Sequence, residues 1–336
     1  MRVPRRRFRS LSFVLPRPVR LPLAVLATAL AALAGCAEEE SGRVEAPRAP
    51  APASTEFPEP RGRSLAELRK GLATGLELAP GTAVHEPGPS RFGFALFDRA
   101  RRQVTGAPAA LYVSREGKVE GPFATRSDSL TVRPQFQSRG VSTDPDAALS
   151  LYVAELTVSR PGEHQIMAVA QLDDRLVATE PIPLAVARDA PVPEVGEQAP
   201  RVSTPTVASM AGAIDLLETR DPPDTMHEVD FADVVGRRPV LLLFGTPALC
   251  KSRVCGPVVD LAEQAKADHE GDAAFIHMEI YERNRVEGGL RPQVRRWNLP
   301  TEPWAFAIDR EGRVAARLEG AFSARELDEA LTKATE

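Results

Sequence analysis

The stretch from Val240 to Asp260 constrains this chain more than any other. Val240 to Phe244 is an unbroken apolar run. A strand with one wet face alternates, whereas a short continuous run suits a strand covered on both faces. Past a loop, Val258, Val259, Leu261, Ala262 and Ala265 fall at helical spacing. Pro257 fits a first helical turn, where its missing N–H costs nothing. Between strand and helix stand Cys250 and Cys255. Residues five apart on a regular helix point about 140° away from each other and cannot share a disulfide there. Cys250 is therefore expected in the loop and Cys255 at the helix start.

The residues that follow read as strand Ala273 to Tyr281, a short helix at Arg291 to Trp297, strand Trp304 to Asp309, and a hairpin partner at Arg313 to Leu318. Ser323 and Glu326 are spaced as a capping box, opening a last helix with Leu327, Ala330 and Leu331 facing in. This order, with the cysteines after the first strand, resembles the thioredoxin-like superfamily over roughly residues 195–336. Val195-Gly-Glu-Gln-Ala-Pro200 is similar to the opening of peroxiredoxin-like and membrane-anchored thioredoxin-like domains. The resemblance implies a cis proline before the third strand, facing the cysteines. The phase of Phe306, Ile308 and Asp309 assigns that role to Pro303; Pro300 would force a second proline into the strand. The sequence departs from the superfamily's Cys-x-x-Cys: four residues separate its two cysteines.

The amino terminus reads as an address. Arg2, Arg5, Arg6, Arg7 and Arg9 precede an apolar stretch from Leu21 to Ala34, too short to span a bilayer, which takes about 20 residues. It ends in Leu33-Ala-Gly-Cys36, which resembles the lipobox of bacterial lipoproteins. That implies a signal peptide over 1–35, lipidation at Cys36, and attachment to the extracytoplasmic side of the cell membrane. Arg5-Arg6-Arg7-Phe8 also fits a twin-arginine signal, so the export route stays open. Residues 36–63 are rich in Glu, Pro and Ala and read as a flexible tether. The formal charge is −4, and removing the seven arginines of the leader leaves about −11, a poor match to nucleic acid.

Residues 64–188 read as short strands bounded by turn residues: Phe92 to Phe97, Ala110 to Val113, Leu149 to Val158, Glu163 to Gln171 and Val177 to Val186. That spacing argues an antiparallel β-sandwich, and the Tyr152 to Gln171 hairpin resembles immunoglobulin-like modules of exported bacterial proteins. His85 and His164 read as exposed loop residues. The expected fold is thus an immunoglobulin-like sandwich followed, over 189–336, by an α/β thioredoxin-like domain.

Three functions fit. In the first, Cys250 and Cys255, the pair left once Cys36 carries lipid, form a disulfide and exchange it with thiols or disulfides of exported proteins. A thiolate at a helix start beside Lys251 and Arg253 favours this, with Cys250 attacking and Pro303 docking the partner backbone. In the second, the chain resembles the Sco-type copper chaperones, which share a cysteine pair and a distant histidine. Here the spacing is one residue longer and no histidine follows His277. His277 and Met278 alternate to opposite faces of their strand, so only one can serve a given site; Met226 and His227 are further candidates. In the third, the disulfide is a staple and the two domains present a binding surface, with Trp304 and Tyr281 at its rim. Oligomeric state is not legible.

Overall fold

The computed structural model describes residues 57–336. The signal peptide, Cys36 and most of the tether lie outside the described residues. Within them no helix is long and apolar enough to cross a membrane.

The amino-terminal part opens with helix α1 (Leu65–Arg69), then strands β1 (Ala73–Pro80), β2 (Gly88–Phe97), β3 (Gln103–Val104), β4 (Ala109–Arg115) and β5 (Lys118–Ser129). Helix α2 (Arg139–Thr143) precedes β6 (Ser150–Val158), β7 (Gly162–Leu172), β8 (Arg175–Thr179) and β9 (Ile182–Val186). The pairings run β1-β8-β7-β4-β5-β6-β2, and β1 then pairs with β2, closing a ring of seven strands. Inward residues alternate along the strands, as at Phe92, Phe94 and Leu96, and fill the barrel with Leu111, Tyr152 and Ile166. On the outer face α1 covers Ala110, Tyr112, Met167 and Val169, together with Phe57. That double cover explains the continuous apolar run of β4. Phe57 and Pro58, inside the expected tether, pack here: the Tyr112 hydroxyl donates to the Pro58 carbonyl at 2.9 Å.

The carboxyl-terminal part carries helix α3 (Phe231–Val234), β10 (Val240–Phe244), α4 (Cys255–Asp268), β11 (Ala274–Met278), α5 (Pro292–Arg296), β12 (Trp304–Ile308), β13 (Val314–Glu319) and α6 (Ala324–Thr335). Its sheet has the order β11-β10-β12-β13, parallel between β10 and β11 and antiparallel elsewhere. One face meets α4 and α6 through Leu241, Leu243, Ala305 and Leu327. The other holds Phe244, Trp297, Trp304 and Phe306. Both faces of β10 are buried, which is why its sequence does not alternate.

The fold-class expectation is corrected on both counts. The strands of 64–188 close into a barrel, because β1 pairs parallel with β8 and antiparallel with β2, where a sandwich would leave open edges. The carboxyl-terminal part is a small four-stranded sheet with few helices, and no clear α/β thioredoxin-like domain. Only α4 and α6 exceed five residues there. Prolines at 191, 193, 200, 205, 222 and 223 keep the approach to α3 irregular by removing amide donors. His85 and His164, expected in exposed loops, are buried, the former against Phe92.

The two parts share a core: Leu130, Leu151 and Val153 of the barrel side join Leu318, Phe322 and Leu331. Arg91 reaches across, donating to both oxygens of Glu326 at 2.7 and 3.0 Å and to the carbonyls of Glu319 and Ala321. Arg126 adds a third bond to Glu326 at 2.7 Å. Burial disfavours the Glu326 carboxylate, but Arg91 and Arg126 outweigh it and hold its pKa below the ordinary value. Gly320 has φ +71°, and a Cβ there would lie 1.7 Å from the Gly81 carbonyl oxygen, so only glycine allows this crossing.

Candidate functional site

β10 ends at Phe244, and the next residues form a tight loop in which the Cys250 amide donates to the Thr246 carbonyl at 3.1 Å. Cys250 is half-buried in that loop; Cys255 is fully buried as the first residue of α4. The two are joined by a disulfide with Cα atoms 6.0 Å apart. Cys250 Sγ lies 3.2 Å from the Ser252 hydroxyl.

The peptide bond between Glu302 and Pro303 is cis. Pro303 and Cys255 flank Gly245: a Cβ on that glycine would lie 3.6 Å from Pro303 Cβ and 4.0 Å from Cys255 Cβ. Glu302, which sequence reasoning passed over, places Oε2 3.9 Å from Cys255 Sγ. Burial, reinforced by the charge of Glu279, pushes its carboxyl up to about 7. Its only sequence signal is an acid wedged between a proline and the end of a loop, at the mouth of an apolar strand.

The barrel side supplies one wall. Val141 of α2 approaches α4 so closely that a Cβ at Gly256 would lie 2.8 Å from its methyl. Arg253, expected to act on a thiolate, instead pairs with Asp144 and Asp146. Asp260 of α4 is buried and accepts from the Ser138 amide and hydroxyl and from Arg220 Nε, at 2.8 to 3.0 Å. Lys251 is exposed.

The other sequence candidates lie apart. Trp304 is core, stacked on Phe306, with its indole N–H donating to the Thr301 hydroxyl at 3.0 Å. Met278 and Met226 are buried on different faces of the sheet. His277 is buried, and Nε2 donates to the Gly245 carbonyl at 3.1 Å while Nδ1 meets Asp224 at 2.7 Å. His277 groups with Glu218, Asp224 and His227, without a cysteine. A broad depression lies elsewhere, between Thr206, Asp230, Arg283 and Gln293.

No protein-family model matches the chain, and no curated protein matches it. Among solved structures, a putative thiol:disulfide interchange protein DsbE from Chlorobium tepidum is similar at 16% identity, with 43% of this chain and 99% of that one covered, and a TM-score of 0.30. A thiol:disulfide interchange protein of the thioredoxin family from Chlorobium tepidum TLS is similar at 16% identity, over 44% and 99%, with a TM-score of 0.31. The human F-spondin reeler domain is similar at 12% identity, over 34% and 90%, with a TM-score of 0.18. Likenesses this weak say nothing of the activity of this chain.

Proposed function

We propose that the protein performs thiol–disulfide exchange through Cys250 and Cys255, facing the cell exterior and anchored by lipid on Cys36. One observation carries the reading: the buried sulfur of the pair sits 3.9 Å from a carboxyl that titrates near neutrality. A structural staple needs no proton acceptor beside it, whereas a resolving thiol does.

In the reducing direction both cysteines start as thiols. The half-buried Cys250 gives its proton to solvent and, as thiolate, attacks one sulfur of a partner disulfide. A mixed disulfide forms and the partner's other sulfur leaves as a thiolate, which takes a proton from water. Cys255 then gives its proton to the Glu302 carboxylate, and its thiolate attacks Cys250 Sγ. The bond to the partner breaks, and the leaving sulfur takes the proton back from Glu302. The partner has gained two electrons and this pair has lost them. The reverse sequence oxidises a partner dithiol. The partners would be thiols or disulfides of other exported proteins, not nucleic acid. A copper-carrying role has less behind it, since both ring nitrogens of His277 are engaged, by Asp224 and by the Gly245 carbonyl.

The deciding measurement is the reduction potential of the pair. A value above about −300 mV is expected, and one well below it, where structural bridges lie, would overturn the reading. A Cys255→Ser variant should accumulate mixed disulfides through Cys250.

A further inference from the structure

Glu218, Asp224, His227 and His277 converge beneath the cysteine loop, and all four are buried. One donor atom from each can be chosen so that all lie within 4.8 Å of one another. His227 Nε2 is 3.5 Å from Glu218 Oε2 and 3.5 Å from Asp224 Oδ1. His277 Nδ1 is 3.7 Å from Glu218 Oε2 and 2.7 Å from Asp224 Oδ2.

Three of these atoms lack what burial demands. Both carboxylate oxygens of Glu218 and Nε2 of His227 are enclosed with no hydrogen-bond partner. A buried, unpaired carboxylate is costly, and such groups are found paired or on a metal. His277 is already oriented: its Nε2–H is spent on the Gly245 carbonyl, which leaves Nδ1 as the ring atom facing the cluster, where it shares a proton with Asp224 that a metal would displace. A backbone carbonyl behind the ligating ring is the usual support of a metal-bound imidazole.

We propose that these four side chains bind one divalent first-row metal ion, zinc by preference. Bonds of about 2.0–2.1 Å in tetrahedral array set donor atoms roughly 3.3 Å apart. The His227 contacts with Glu218 and Asp224 and the His277 contact with Glu218 are within half an ångström of that, the contact between His277 and Asp224 must open by a similar amount, and one Asp224 oxygen must turn to serve both rings, which now meet different ones. Two imidazoles and two carboxylates suit Zn²⁺, with Mn²⁺ or Fe²⁺ behind it, and the absence of thiolate disfavours Cu(I). All four ligand positions come from protein and all are buried, so the ion is structural. It would also brace the loop of Cys250. Glu218 adjoins Thr219, whose hydroxyl accepts from the Ala248 amide at 3.0 Å and donates to Glu279 at 2.7 Å. The inference stands whether or not the cysteines exchange.

The test strips the full-length chain of metal with a chelator and titrates it with Zn²⁺, Mn²⁺ and Co²⁺ in a calorimeter. One equivalent of Zn²⁺ is expected to bind, to raise Tm by roughly 5 °C at a hundredfold excess over Kd, and to slow amide exchange over 218–228 and 246–250. The Co²⁺ form should show visible bands without sulfur charge transfer. A Cys250→Ser/Cys255→Ser variant should bind unchanged. Glu218→Gln and His227→Gln should each lose at least about a hundredfold in affinity, with Glu218→Gln keeping the circular dichroism of the parent. Absence of stoichiometric binding by any of the three ions overturns the proposal. So does loss of binding in the cysteine variant, or affinity unchanged in a folded Glu218→Gln variant.

Discussion

At neutral pH Glu302 is divided between its two forms, because burial and Glu279 lift its carboxyl to about 7. Its pKa in the folded protein lies above that of an unfolded glutamate. Its contribution to stability is therefore fully present below about pH 4.5 and lost as pH rises through about 7. Glu302→Gln removes the cost of the buried charge. The variant should equal the parent at pH 4 and exceed it at pH 8 by something on the order of 2 kcal/mol, once partial exposure to solvent is allowed for, as read from urea midpoints. The same variant should exchange disulfides at least tenfold more slowly at pH 7, with the inflection near that pH gone from the rate profile. A variant that is more stable yet slower separates chemistry from scaffolding, which neither cysteine substitution can do.

At the scale of elements, α6 depends on an acid that serves two masters. Glu326 reaches back to the Ser323 amide at 3.1 Å to close the capping box, and it also receives Arg91 and Arg126. Ser323→Ala should cost about 1 kcal/mol, the worth of a cap. Glu326→Ala should cost about 2 kcal/mol, because it also removes the carboxylate that Arg91 and Arg126 share, leaving Arg126 to Asp128 and Arg91 to backbone carbonyls; unfolding midpoints at pH 7 compare the two. The box was legible, since Ser323 and Glu326 are three residues apart. Arg91, 235 residues from its partner, was not. The run Val240 to Phe244 was legible because both its faces are buried. β1 was not: it carries Gly75 and Pro80 and buries only Leu76 and Leu78, so nothing in it resembles a strand that closes a ring. Asp144, Glu218 and Asp224 were invisible for a related reason. Each sits in a segment without period, and only folding gives it a neighbour.

For the whole molecule, the shared core around Leu151, Leu318 and Leu331 means that neither part buries its apolar surface alone. Residues 57–336 should melt in one calorimetric transition with matching van't Hoff and calorimetric enthalpies. A chain of residues 189–336 alone should bind hydrophobic dye and melt broadly or not at all, since it exposes the Phe322 side of the sheet and leaves Glu326 without Arg91. Two separable transitions in the intact protein would count against this.

The pairing of β1 with β8 has a temporal side. Ala73 and Val177 must meet before the ring exists. A chain released amino end first therefore holds β1 and β2 as a ribbon with a bare edge until Arg175–Thr179 arrives about a hundred residues later. An unpaired edge is a template for other chains. The interval between the two arrivals is when this protein most needs a chaperone, and a slowed release at that point should show as aggregation rather than as inactive monomer.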